Sequence, residues 1–156
     1  ITTHNLPIRD YCSWRGLTVL SGLPDVSLPA GEIILSSDRS TRLWLGASDD
    51  LWQFGKPCGQ GGPWRDSPAK AGNPSDPYLF TGYDAKTLQL SHNLSVPLEI
   101  RIEVDITGSG LWVNYNTFEA VPNKTTTHRF PTGYNAYWLR AVALADANVT
   151  AQLSYT

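Results

Sequence analysis

The chain has no methionine, only two cysteines and three histidines, and no excess of either charge, since 12 basic against 14 acidic residues leave a net of −2. So even a balance provides no electrostatic footprint for a phosphate backbone or anionic lipid, and neither nucleic acid nor a membrane surface is an expected partner. No apolar run approaches the roughly 20 residues of a membrane span. The opening ITTHNLPIRD lacks the basic-plus-apolar pattern of a signal peptide. Without methionine, Ile1 is no initiator, and a processed product with its signal removed is the expectation. The histidines His4, His92 and His128 have no i,i+4 or cysteine-paired spacing, which argues against zinc. Also missing are a G-x-S-x-G nucleophile motif, a phosphate-cradling G-x-x-x-x-G-K-[ST] loop and an available Cys/His pair, so no catalytic residue is assigned.

What is present reads as strands. Leu98 to Asp105 alternates apolar and polar over eight residues, placing Leu98, Ile100, Ile102 and Val104 on one face. Turn residues Thr107-Gly108-Ser109-Gly110 follow, and Leu111 to Phe118 reads as the partner strand. Further strands are expected at Leu17–Leu20, Glu32–Ser36 with Thr41–Gly46 as a hairpin, Thr87–His92, Thr125–Phe130, Ala136–Leu144 and Val149–Tyr155. Short strands separated by turn signals, without an amphipathic helix, indicate one all-β domain over residues 1–156, an antiparallel β-sandwich or jelly roll. Residues 1–16 read as an irregular arm, and no internal repeat is expected.

One stretch breaks the pattern. Asp49 to Asp84 has neither period, yet carries Trp52, Phe54, Trp64, Tyr78, Phe80 and Tyr83 among Gly and Pro. Disordered segments are poor in aromatics, so a long ordered loop with a function is expected. An even cysteine count favours a Cys12–Cys58 disulfide tying the arm to this loop. N-glycosylation acceptors at Asn93, Asn123 and Asn148 are expected in turns between strands, as in a secreted, extracellular glycoprotein.

The run Gly55-Lys56-Pro57, Gly59, Gly61-Gly62-Pro63-Trp64, Ser75-Asp76-Pro77-Tyr78-Leu79 and Thr81-Gly82-Tyr83-Asp84 resembles a segment in the C-terminal all-β region of large uncharacterised secreted proteins. That resemblance extends over residues 42–156, including Ile102-Glu103-Val104-Asp105 and Ala136-Tyr137-Trp138-Leu139-Arg140, and implies no chemistry. More loosely, the strand order of the second half is similar to galactose-binding-like (discoidin-type) β-sandwiches, which implies glycan or surface-ligand binding through loops at one end.

The candidate ligand-binding residues are Trp52, Trp64, Tyr78 and Tyr83, because an aromatic ring suits the C–H face of a sugar while Trp and Tyr add a polar handle. Their alternative role is a satellite core. No cofactor is expected; calcium is the one candidate metal, on Asp76 and Asp84, with Asp49, Asp50 and Asp66 nearby in sequence. Glu99, Arg101 and Glu103 share one strand face, where they neutralise one another or, in a glycosidase, would supply carboxylates. The expectation is a non-catalytic module binding carbohydrate or another extracellular surface through residues 49–84. A self-associating structural subunit, pairing through the N-terminal arm or an edge strand Val149–Tyr155, and a small glycan hydrolase are the alternatives.

Overall fold

In the computed structural model of the chain, the eight-residue alternation forms a strand with the same bounds, Leu98–Asp105. Leu98, Ile100, Ile102 and Val104 are buried and Glu99 is exposed. The structure describes every residue except 1, 4, 5, 26 and 29, and of Thr2 and Thr3 the backbone alone, so Ile1 and His4 lie outside the described residues. The chain is all-β with antiparallel sheets, and it divides into two compact units, Thr2–Pro57 and Cys58–Thr156, rather than forming the single unit expected.

The first unit contains β1 (Thr2–Thr3), β2 (Asp10–Trp14), β3 (Leu17–Ser21), β4 (Glu32–Leu35), β5 (Arg42–Gly46) and a 3-10 helix, Ser48–Phe54. Four strands pair in the order β2-β3-β5-β4, and β4 with β5 is the expected hairpin. The N-terminal arm is thus not irregular: Arg15 and Gly16, both at positive φ, make a two-residue turn that folds β2 back on β3. Trp44 is the centre of this unit's core with Leu20 and Leu23. Its indole nitrogen donates to the Ala30 carbonyl at 2.7 Å, and its ring meets Phe54 edge-on at 5.1 Å.

The second unit is a sandwich. It holds β6 (Cys58–Ala69), β7 (Tyr78–Leu79), β8 (Lys86–His92), β9 (Leu98–Asp105), β10 (Trp112–Ala120), β11 (Thr126–Arg129), β12 (Trp138–Ala143) and β13 (Ala147–Tyr155). On one side β6, β13, β8 and β11 are neighbours in that order; on the other the order is β10-β9-β12-β7. The inward rows, Leu88, Leu90, Val149, Ala151 and Leu153 from one side and Ile100, Ile102, Val104, Leu139 and Ala141 from the other, form one core. Asp105 is buried where β9 ends, and its carboxylate accepts from the Gly108, Ser109 and Gly110 amides at 2.9, 3.3 and 2.7 Å, fixing the turn into β10.

Three further expectations are overturned. The Asp49–Asp84 stretch is not a loop, because it contains the 3-10 helix, the unit boundary at Pro57 and the twelve-residue β6. Its period is invisible because β6 pairs with β13 through two register shifts, between Val149/Ala151 and between Ala151/Leu153, and Asp66 sits at positive φ. Each bulge resets the alternation, so buried Cys58, Trp64 and Ala69 fall at uneven intervals. No disulfide joins Cys12 and Cys58: Cys12 is exposed on the edge strand of one unit, and Cys58 is buried at the head of β6 in the other. Finally, the closing strand is no edge, since β13 is hydrogen-bonded to both β6 and β8.

Gly62 is where β6 passes closest to β13. A Cβ there would lie 2.0 Å from the Ala151 carbonyl oxygen, a backbone atom that cannot swing aside. Gly62→Ala is expected to destabilise the second unit by about 2–3 kcal/mol or more, whereas Gly72→Ala, in open space at positive φ, costs about 1 kcal/mol; urea unfolding of the two variants checks the order.

Candidate functional site

At one end of the sandwich two turns of nearly identical sequence face each other. Thr81-Gly82-Tyr83-Asp84 follows Phe80 at the end of β7, and Thr132-Gly133-Tyr134-Asn135 follows Phe130-Pro131 at the end of β11. In both the glycine takes a positive φ, +90° at Gly82 and +79° at Gly133, which turns the chain without the steric penalty a Cβ would carry. The two leading phenylalanines meet at 4.8 Å, ring edge to face. Between the turns runs an open cleft of about 620 Å³ lined by both tetrapeptides and Lys86.

Lys86 is the first residue of β8 and is 3% exposed. Its ammonium donates to the Tyr83 carbonyl at 2.8 Å and the Tyr134 carbonyl at 3.1 Å, the same position in each turn, and lies 5.0 Å over the Phe80 ring. Burial pushes the lysine below its ordinary value, and the Asp84 charge opposes that shift. The turns are also joined directly, by the Asn135 amide nitrogen donating to the Thr81 hydroxyl at 3.1 Å. Carbonyl oxygens converging from two turns are the kind of pair that binds a hard cation; here the protein's own ammonium occupies the position between them.

Both tyrosines of these turns line the cleft and pack against other rings. Tyr83 is buried and stacks on Tyr155 at 4.0 Å. Tyr134 packs with Phe80, Phe130 and Tyr115, and burial, with Tyr115 second, raises its phenol. The cleft's lining combines the Thr81, Thr132 and Asn135 side chains and the exposed Asp84 carboxylate with Tyr83 and Tyr134.

The aromatic residues expected to form a binding platform are dispersed. Trp64 and Tyr83 belong to the sandwich core. Tyr78 is half-buried with its hydroxyl against Gly61, where a Cβ would come within 2 Å of that oxygen. Trp52 alone is openly exposed, at 72%, on the 3-10 helix of the first unit. Of the calcium candidates, Asp84 lines the cleft and Asp76 is exposed in the connection before β7, and among the described residues no three His, Cys, Asp or Glu side chains gather as a metal cluster. Asn93 and Asn123 are exposed in turns, as expected, while exposed Asn148 is the second residue of β13 rather than a turn residue. Its amide donates to the Asn93 side-chain oxygen at 2.9 Å, so these two acceptors are neighbours.

On the face with Glu99, Arg101 and Glu103, the last two form an ion pair. One Glu103 oxygen accepts from Arg101 at 2.8 Å and the other from Arg140 at 2.6–2.7 Å, while the Arg140 guanidinium stacks 4.3 Å over Trp112. Glu103 is thereby bonded as a structural ion pair. The cleft itself contributes one carboxylate, Asp84, where glycoside hydrolysis uses two.

Lys86, Thr81, Thr132 and Asn135 went unrecognised in the sequence reading, although the signal was there: the tetrapeptide Thr-Gly-Tyr-Asp/Asn occurs twice, 51 residues apart in the numbering, too short and too distant to register as a repeat.

Two outcomes follow. Lys86→Met leaves the Tyr83 and Tyr134 carbonyls without their donor and is expected to lower stability by about 1–3 kcal/mol, read from urea midpoints. Beside the cleft, His128 sits 2.8 Å from the Tyr115 hydroxyl among Phe118 and Phe130, and burial lowers it from its ordinary 6.5. The unfolded chain therefore takes up that proton first, so stability falls as pH drops below about 6.5, and His128→Phe reduces this slope. Midpoints measured between pH 7.5 and 5.5 check the sign.

No protein-family model matches the sequence, and comparison with curated proteins and with solved structures finds no match.

Proposed function

We propose that this chain is a non-catalytic, secreted recognition module that binds carbohydrate through the cleft between its two Thr-Gly-Tyr turns. The observation that carries the reading is the convergence of Thr81, Asp84, Thr132 and Asn135 around that cleft, on turns clamped to a rigid sandwich by Lys86. Polar groups carried on fixed turns suit a hydroxyl-rich ligand, because ordering them costs less on binding than ordering groups on a loose loop. The 49–84 segment contributes Thr81 to Asp84, so recognition moves from the tryptophans to its C-terminal end. Calcium has no part in this reading, because the Lys86 ammonium already holds the two carbonyls. As a secreted glycoprotein the chain would carry glycans on exposed Asn93, Asn123 or Asn148, away from the residues that line the cleft.

A second reading, self-association, has one observation in its favour. β2 is an edge strand exposed along its whole length, with Tyr11 77% and Trp14 52% exposed, and such an edge can pair with another copy. Sedimentation as a monomer at high concentration counts against it.

Glycan-array binding of the intact chain is the direct test. Binding should survive EDTA, fall at least tenfold in Asn135→Ala, and be unchanged in Trp52→Ala. Loss of binding with EDTA, or with Trp52→Ala alone, would remove the cleft as the site.

A further inference from the structure

The outward face of the β10-β9-β12-β7 sheet carries two tryptophans that the core does not use. Buried Leu139, Ala141 and Ala143 mark the inward side of β12, so Trp138 and Arg140 lie on the other face. Trp138 stands opposite Asp105 on β9 and opposite Leu79 on β7, and Asp105 stands opposite Trp112 on β10. Trp112, Asp105, Trp138 and Leu79 thus form one cross-strand row. Asp105 is buried with its carboxylate directed to the turn amides, so the side chains this row presents to solvent are the two indoles and Leu79, itself 41% exposed. The solvated face of an antiparallel sheet is ordinarily polar; this row is apolar.

The two rings differ in what they touch. Trp112 lies under the Arg140 guanidinium at 4.3 Å, which Glu103 holds in place. Trp138 is half-buried, and among the described residues its indole has no ring neighbour and its N–H no acceptor. An indole with its polar handle unused offers an apolar surface for the C–H side of a sugar and a donor for one of its hydroxyls. The row is also continuous with the cleft. Beyond the Leu79–Trp138 pair the Phe80 amide donates to the Tyr137 carbonyl at 3.0 Å, and beyond that the Asn135 side chain donates to the Thr81 hydroxyl at 3.1 Å. Segments 79–81 and 135–138 therefore run side by side from the sheet to the cleft, whose lining includes Thr81 and Asn135. Leu79 and Thr81 are two residues apart, about 7 Å along an extended chain. A pyranose ring is shorter than that, so a single sugar bonded to Thr81 and Asn135 ends short of Trp138, and the next residue of a chain reaches it.

Resting on the carbohydrate-binding reading above, we infer that the ligand is an oligosaccharide, one sugar of which occupies the cleft while the next stacks on Trp138. The test is titration of the isotope-labelled intact chain, followed by amide and indole NMR, with glucose, galactose, mannose and N-acetylglucosamine, each as the monomer and as its β-1,4-linked dimer to tetramer. Monomers should shift resonances of residues 81–86 and 132–135 alone. Oligomers should also shift the Trp138 indole N–H and bind at least tenfold more tightly. Trp138→Ala should erase this gain with chain length and leave monomer binding unchanged, a pattern that loss of folding would not produce, while Trp138→Phe, which keeps a ring, retains most of it. Equal affinity for monomers and oligomers, or a Trp138→Ala variant that keeps the gain, overturns the extended site and leaves carbohydrate binding in the cleft in place. No shift with any sugar removes the carbohydrate reading itself.

Discussion

A single ammonium holds the end of the sandwich together. Lys86 is at the start of β8, yet its side chain reaches the carbonyls of two turns that belong to different sheets, one following β7 and the other following β11. Burying a cation is costly unless its protons are satisfied, and the two carbonyls that accept from this one are in place when both turns are folded. The lysine thus makes the two turns conditional on each other. Beneath the ammonium lies the Phe80 ring, itself packed against Phe130.

Around that clamp the sandwich is ordinary in its physics, and this explains how much of it was legible. Wherever strands alternate and end in turn residues, the sequence reading and the structure agree within a few residues, as at Leu98–Asp105, Thr87–His92 and the β4–β5 hairpin. Along β6 the two bulges and the Gly-Gly-Pro run remove the period of two, so that strand reads as loop. β2 was missed because all five of its side chains are exposed, leaving no buried row to create a pattern.

The site was less visible than the fold, for a related reason. Aromatic residues draw the eye in a sequence, and here most of them are core: Trp64, Phe80, Tyr83 and Phe130 fill the sandwich. The groups that line the cleft are threonine, glycine, asparagine and aspartate, residues that any turn could contain. Only their convergence in space, reached through a sheet topology that brings residues 81–84 beside 132–135, distinguishes them. A bulge supplies a second example, since the register shift between Asn114 and Asn116 accompanies the contact of Tyr115 with His128, a pairing with no trace in the spacing of the two residues.

The position of β13 bears on how the second unit comes into being. It lies between β6 and β8, and its partners on β6 are roughly 80–95 residues earlier in the chain. Until residues 147–155 arrive, β6 and β8 have no shared neighbour, and each presents an open edge with an uncovered apolar row. The β6–β13 pairing therefore closes a long stretch of chain, the kind of contact whose loop-closure cost slows folding and leaves apolar rows open until it forms.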